Sequence, residues 1–77
     1  MHIRPPSPLR VRRLALGLRL RDVEIATDIR DAVLSGVERG RRSLRPRVLR
    51  ALAEYYGVQP ATLVAEHESW VEERGRL

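Results

Sequence analysis

The chain contains no cysteine, lysine, phenylalanine or asparagine, and its aromatic residues are confined to Tyr55, Tyr56 and Trp70. Without cysteine there can be no disulfide and no thiolate metal site. His2 and His67 stand too far apart in sequence to form a metal-ligand motif. There is no paired acid–base set, no nucleophile with a neighbouring base and no glycine-rich phosphate loop, so no catalytic residue, cofactor or small-molecule substrate is expected, and the chain reads as a non-enzyme. No apolar run approaches the length of a membrane span, and Met1 to Ser7 lacks the apolar core of a signal segment. A cytoplasmic location and no membrane partner are therefore expected. A chain of 77 residues supports one compact domain with a small core. With disulfides and metal excluded, the remaining source of extra stability is a partner subunit.

What the chain has in excess is arginine. All 15 basic residues are Arg, and the net charge is +5. The charge is unevenly placed. Residues 1–50 hold 13 Arg against 5 acids, a net +8, whereas residues 51–77 hold 2 Arg against 5 acids, a net −3. A basic front and an acidic back point to an anionic partner for the front. The alternative is a solvated arginine surface with no partner. The arginines are spread over several elements rather than along one amphipathic helix, which argues against a lipid surface.

The punctuation along the chain predicts five helices and no strand. Pro5, Pro6 and Pro8 make residues 1–7 a flexible arm, and Ser7-Pro8 reads as a cap followed by a first-turn proline. Helix 1 is predicted over 9–16, with Val11, Leu14, Ala15 and Leu18 on its inner stripe. Helix 2 is predicted over 20–27 with Leu20, Val23 and Thr27 inward, and Asp28 is placed at the turn because Asp tolerates the left-handed conformation. Helix 3 is predicted over 31–38, with Leu34 and Val37 inward and Gly40 after its end. Pro46 opens helix 4, where Val48, Ala51, Leu52 and Tyr55 recur at helical spacing, and Gly57 closes it. Pro60 opens helix 5, which carries Leu63, Val64, His67, Trp70 and Val71 on one stripe to about Arg74. About four residues separate helices 2 and 3, as a helix-turn-helix requires.

The ordered set Leu9-Arg10, Arg13, Gly17-Leu18, Val23, Ile29, Leu34-Ser35, Val37-Glu38-Arg39-Gly40, Pro46, Leu52-Ala53, Gly57-Val58 and Leu63 resembles the phage-repressor and Cro-type helix-turn-helix domain, the xenobiotic-response-element family. Val-Glu-Arg-Gly is its strongest single piece. The resemblance covers residues 9–64. It implies an all-α, compact five-helix bundle of the lambda-repressor-like type, with residues 8–64 as the DNA-binding domain; residues 65–77, beyond the resemblance, read from the helix-5 stripe as a C-terminal extension of that helix and a candidate dimerisation segment. It also implies that helix 2 lies across the DNA backbone and helix 3 enters the major groove.

The resemblance assigns roles to residues by slot. Arg13 and Glu38 form a structural ion pair between helices 1 and 3. Arg30, Asp31, Ala32, Val33 and Gly36 lie on the base-reading face. Arg30 contacts guanine or merely a phosphate, and Asp31 accepts from a cytosine amino group or merely steadies the helix start. Arg39, Arg41, Arg42, Arg45 and Arg47 lie along the phosphates. Arg19 and Arg21 flank the start of helix 2, where unpaired amides and the dipole also favour an anion.

The chain departs from the family pattern at several slots. Arg19 replaces the Ser or Thr cap of helix 2, Leu20 replaces a Gln, and Arg30 replaces the Ser before helix 3. Glu24 takes the slot of a small alanine between helices 2 and 3. A charge there requires that Glu24 reach a nearby Arg or that helix 2 be rotated. Ile25 is left as an unexplained apolar residue. The reading helix holds no Gln, Asn or Lys, so direct readout is thin and DNA shape carries part of the specificity. One module covers a half-site, so a homodimer on double-stranded DNA is expected, with Leu63, His67, Trp70 and Val71 at its interface. The other placement for Trp70 is against the chain's own core. The function expected is a sequence-specific transcriptional regulator, a repressor or autoregulator. The alternative is a protein-interaction module, an antitoxin or adaptor, that keeps the fold with reduced sequence reading.

Overall fold

A computed structural model describes residues 5–75. Five helices follow one another: α1 Pro8–Ala15, α2 Leu20–Thr27, α3 Asp31–Glu38, α4 Pro46–Tyr56 and α5 Pro60–Gly75. There is no strand among the described residues, so the fold is all-α. The local signals act as their chemistry dictates. The Ser7 hydroxyl accepts from the Arg10 amide at 3.3 Å and Pro8 opens α1. Asp28 takes the left-handed conformation at φ 59°, ψ 26°, ending α2 where the chain must turn toward α3.

The core is small and shared by all five helices. Leu9 from α1, Val23 from α2, Leu34 and Val37 from α3, Leu52 and Ala53 from α4, and Leu63 from α5 are buried, and Ile29 in the turn joins them. Complete burial of one such side chain contributes about 1.5–3 kcal/mol, so each of these few residues matters to a chain this short.

One predicted stripe is wrong. Val11, Leu14 and Ala15 of α1 face solvent, and the buried positions are Leu9 and Arg13. The inner face of α1 runs from Leu9 to Arg13, one turn apart, and includes a charge. Reading apolar periodicity alone turned the helix the wrong way, because Arg13 is buried with a partner rather than alone.

α5 crosses position 64 without a break. Its distal half is stitched to the globule. Arg12 Nη2 contacts both Glu66 oxygens at 2.9 and 3.0 Å, joining α1 to α5. Trp70 Nε1 donates to the Pro5 carbonyl at 3.0 Å. An added Cβ on Gly40 would stand 3.0 Å from Trp70 Cζ3, so the indole packs against the turn that follows α3. Of the arm expected over 1–7, Pro5 and Ser7 are held in this way. Residues 1–4, including His2, and 76–77 of the expected extension lie outside the described residues. No helix among the described residues is long and apolar enough to cross a membrane.

Candidate nucleic-acid interface

The α2–turn–α3 unit is built by short-range bonds. The Asp28 amide donates to the Glu24 carbonyl at 2.8 Å. Thr27 Oγ1 donates to the Val23 carbonyl at 2.7 Å and accepts from the Ile29 amide at 3.4 Å. Ile29 is thereby aimed into the core, which anchors the turn. On α3, Leu34, Val37 and Glu38 face inward. Arg30, Asp31 and Ala32 are exposed, Gly36 is half-buried, and Val33 is half-buried with its side chain packed against the core. Of the five residues expected to read bases, Arg30 precedes α3 as its N-cap, Asp31, Ala32 and Gly36 lie on α3 away from the buried stripe, and Val33 flanks the core.

The α3 N-terminus is capped from another helix. Arg30, at the N-cap, provides no side-chain bond. Glu24 Oε2 accepts from the Asp31 amide at 2.9 Å instead. Neither expectation for Glu24 describes this: its carboxylate meets a backbone N–H, not an arginine, and it reaches there from an α2 that spans the predicted residues. A carboxylate on an unpaired N-terminal amide is favoured both as a hydrogen bond and by the helix dipole. A carboxylate also caps α2. The Asp22 side chain accepts from the Arg19 amide at 2.8 Å, the bond that the third residue of a helix lends back to its cap, while the Arg19 side chain makes no capping bond of the Ser or Thr kind and Arg19 and Arg21 are exposed.

The opposite end of α3 is clamped by a buried ion pair. Arg13 Nε and Nη2 donate to Glu38 Oε2 and Oε1 at 2.8 and 3.0 Å, a two-point contact. Arg13 Nη1 donates to the Leu18 carbonyl at 2.9 Å. The hydrogen bond to Glu38 holds the guanidinium above its ordinary pKa, against the opposing effect of burial. The half-buried Tyr56 phenol nearby is pushed up to about 12, chiefly by burial and secondarily by the Glu38 charge.

Beyond the clamp the chain reverses sharply. Gly40 adopts φ 73°, its amide donates to the Val37 carbonyl at 3.0 Å, and the Arg41 amide donates to the Gly36 carbonyl at 2.8 Å. These two bonds form a Schellman motif, which needs a residue free to take positive φ. Arg39, Arg41, Arg42, Arg45 and Arg47 are all exposed around this turn and the start of α4. Val33, Arg41, Arg42, Ser43, Arg45 and Val48 line a surface cavity of about 380 Å³ beside α3. The basic loop and the outer face of α3 therefore adjoin.

The subunit contact expected on α5 needs correction. Leu63 is 0% exposed and His67 4%, so both are used inside the chain's own core. The apolar stripe of α5 faces its own core first, because a chain this small has few other residues to fill it. Trp70 is held by Pro5 and packed on Gly40, with the Arg74 guanidinium 5.8 Å from its ring centroid. Of the four residues, Val71 at 40% exposure is open to a partner, and Trp70 is half-exposed. Burial lowers the His67 pKa, opposed by Glu68.

Reading the sequence missed the Arg12–Glu66 bridge and the Glu24 cap. The first joins residues 54 apart, and no local pattern reports it. The second had a signal: a carboxylate at a slot meant for alanine, seven residues before a helix start with no capping side chain. No group of residues that could hold a metal occurs among the described residues. A family described as a helix-turn-helix domain matches residues 8–66, more than half of the chain. Neither the curated proteins nor the solved structures include a match.

Proposed function

The chain belongs to the helix-turn-helix domain family, and from that premise we propose that it is a sequence-specific, double-stranded-DNA-binding transcriptional regulator, a repressor or autoregulator acting in the cytoplasm. In this reading α3 enters the major groove. Arg30, Asp31, Ala32, Val33 and Gly36 face base edges, while Arg39, Arg41, Arg45 and Arg47, with Arg19 and Arg21 at α2, grip phosphates. The observation that carries the reading is the exposed outer face of α3 flanked by exposed arginines on the turn that follows it. Arginine suits this role because its planar fork matches a phosphate at two points.

A homodimer completes the reading, with Val71 and the half-exposed Trp70 at the contact, since one module spans only a half-site. Selection of binding sites from a random DNA pool tests both parts. A two-fold-symmetric site supports regulator and dimer together. Absence of enrichment overturns the regulator reading. One observation favours the adaptor reading as runner-up: Ile25 on α2 is 72% exposed, an apolar side chain that nothing in the DNA reading uses.

A further inference from the structure

The face of α3 that would meet base edges is poor in polar side chains, and its centre is Gly36. That gap is filled from outside the helix. A Cβ at Gly36 would stand 2.7 Å from Arg42 Cδ, 2.8 Å from Arg42 Cγ and 3.1 Å from Arg42 Nε. The Arg42 stem therefore lies directly over the Gly36 backbone, in the space a side chain there would occupy. The backbone holds it in place. The Gly36 carbonyl accepts from the Arg41 amide at 2.8 Å and from the Arg42 amide at 3.1 Å, so the loop is bonded to the same residue that its side chain covers. Arg42 also shares the wall of the 380 Å³ cavity with Val33, which lies one turn before Gly36 on α3.

We propose that Arg42 is a specificity-determining, base-reading residue: the loop lays its guanidinium across the open face of α3, where the absence of a side chain at Gly36 admits it. The sequence places Arg42 among the phosphate-gripping arginines. Its position over α3 assigns it to the groove instead. A guanidinium presented there donates to O6 and N7 of one guanine in each half-site. The stem is already ordered against the helix, so less rotamer freedom remains to be lost on binding than for a free surface arginine. Arg41 and Arg45 keep the phosphate role. This inference rests on the reading that α3 enters the major groove.

The test uses the full chain and three proteins: wild type, Arg42→Ala and Gly36→Ala, each taken through site selection and then titrated on the selected site and on single-base variants of it. For the wild type, replacing one guanine per half-site should weaken binding at least about five-fold. Arg42→Ala should lose preference at that position alone and keep it elsewhere. Gly36→Ala should do the same with Arg42 still present, because its Cβ displaces the stem. Alanine is the better helix former, so loss of fold does not explain the result. If Arg42→Ala weakens all sequences equally and lowers the salt slope by about one, it is a phosphate ligand and the proposal fails. If Gly36→Ala leaves the guanine preference intact, the proposal fails too. If the wild type enriches no sequence, the DNA reading falls and this one with it.

Discussion

Replacing Arg13 by methionine removes one half of the pair that clamps α3 to α1 and leaves the Glu38 carboxylate without its partner. The side chains are 10% and 9% exposed, and Arg13 makes three hydrogen bonds, two to Glu38 and one to the Leu18 carbonyl. Breaking a buried pair from one side costs about 3–5 kcal/mol. The pair keeps a little exposure to water, so the lower end, about 3 kcal/mol, is expected. A chain of 77 residues has a total stability of about 4–12 kcal/mol, so this is a large share of it. At about 4–8 °C per kcal/mol, Tm should fall by about 12–24 °C. Urea unfolding followed by circular dichroism measures the loss. The double variant Arg13→Met/Glu38→Leu should recover most of it, because an apolar pair of similar volume carries no desolvation cost. A loss below about 1 kcal/mol for Arg13→Met, the value of an exposed pair, would refute the reasoning. So would a double variant no more stable than the single one.

Glu24→Ala deletes the cap that α2 lends to α3 and should cost about 1 kcal/mol in the same unfolding assay, whereas Glu24→Gln, which keeps an acceptor for the Asp31 amide, should cost less; equal losses would point to charge rather than the hydrogen bond. Burial lowers the folded-state pKa of His67, so the unfolded chain binds the proton more readily, and stability should fall as pH drops below the ordinary value of 6.5 toward the lowered one. Above 6.5 this contribution is fully present, and His67→Leu should flatten that part of the pH–stability curve; an unchanged slope would remove His67 as its source. Replacing Arg45 and Arg47 together by alanine should weaken binding to all DNA sequences alike and lower the salt slope by about one for each phosphate no longer neutralised, as read by titration at several salt concentrations. A change of sequence preference would instead place one of them in the groove.

The helix boundaries were legible because their signals are local. Pro8, Pro46 and Pro60 open α1, α4 and α5 where expected, and Asp28 takes the left-handed turn that its side chain tolerates. The Arg13–Glu38 pair was legible from the family resemblance, whereas its two-point geometry was not. The inner face of α1 was not, since a buried charge looks polar to any apolar count. Leu63 and His67, two of the four expected α5 contact residues, failed for a related reason. A stripe of Leu63, His67 and Trp70 reads the same whether it faces a partner or its own core, and only the burial of Leu63 and His67 separates the two.

The sequence by itself determined five helices, their order, the short turn between α2 and α3, and a basic front half. Caps, first-turn prolines and periodicity act within a few residues, and charge needs no geometry to be counted. Beyond the Arg13–Glu38 pair, only the tertiary structure decided which distant polar groups meet. The Glu24 carboxylate on the Asp31 amide, Arg12 against Glu66 and the Arg42 stem over Gly36 each depend on how helices and loops pack in space. Such packing brings together residues whose spacing along the chain carries no period, so their chemistry becomes visible only when the chain is folded.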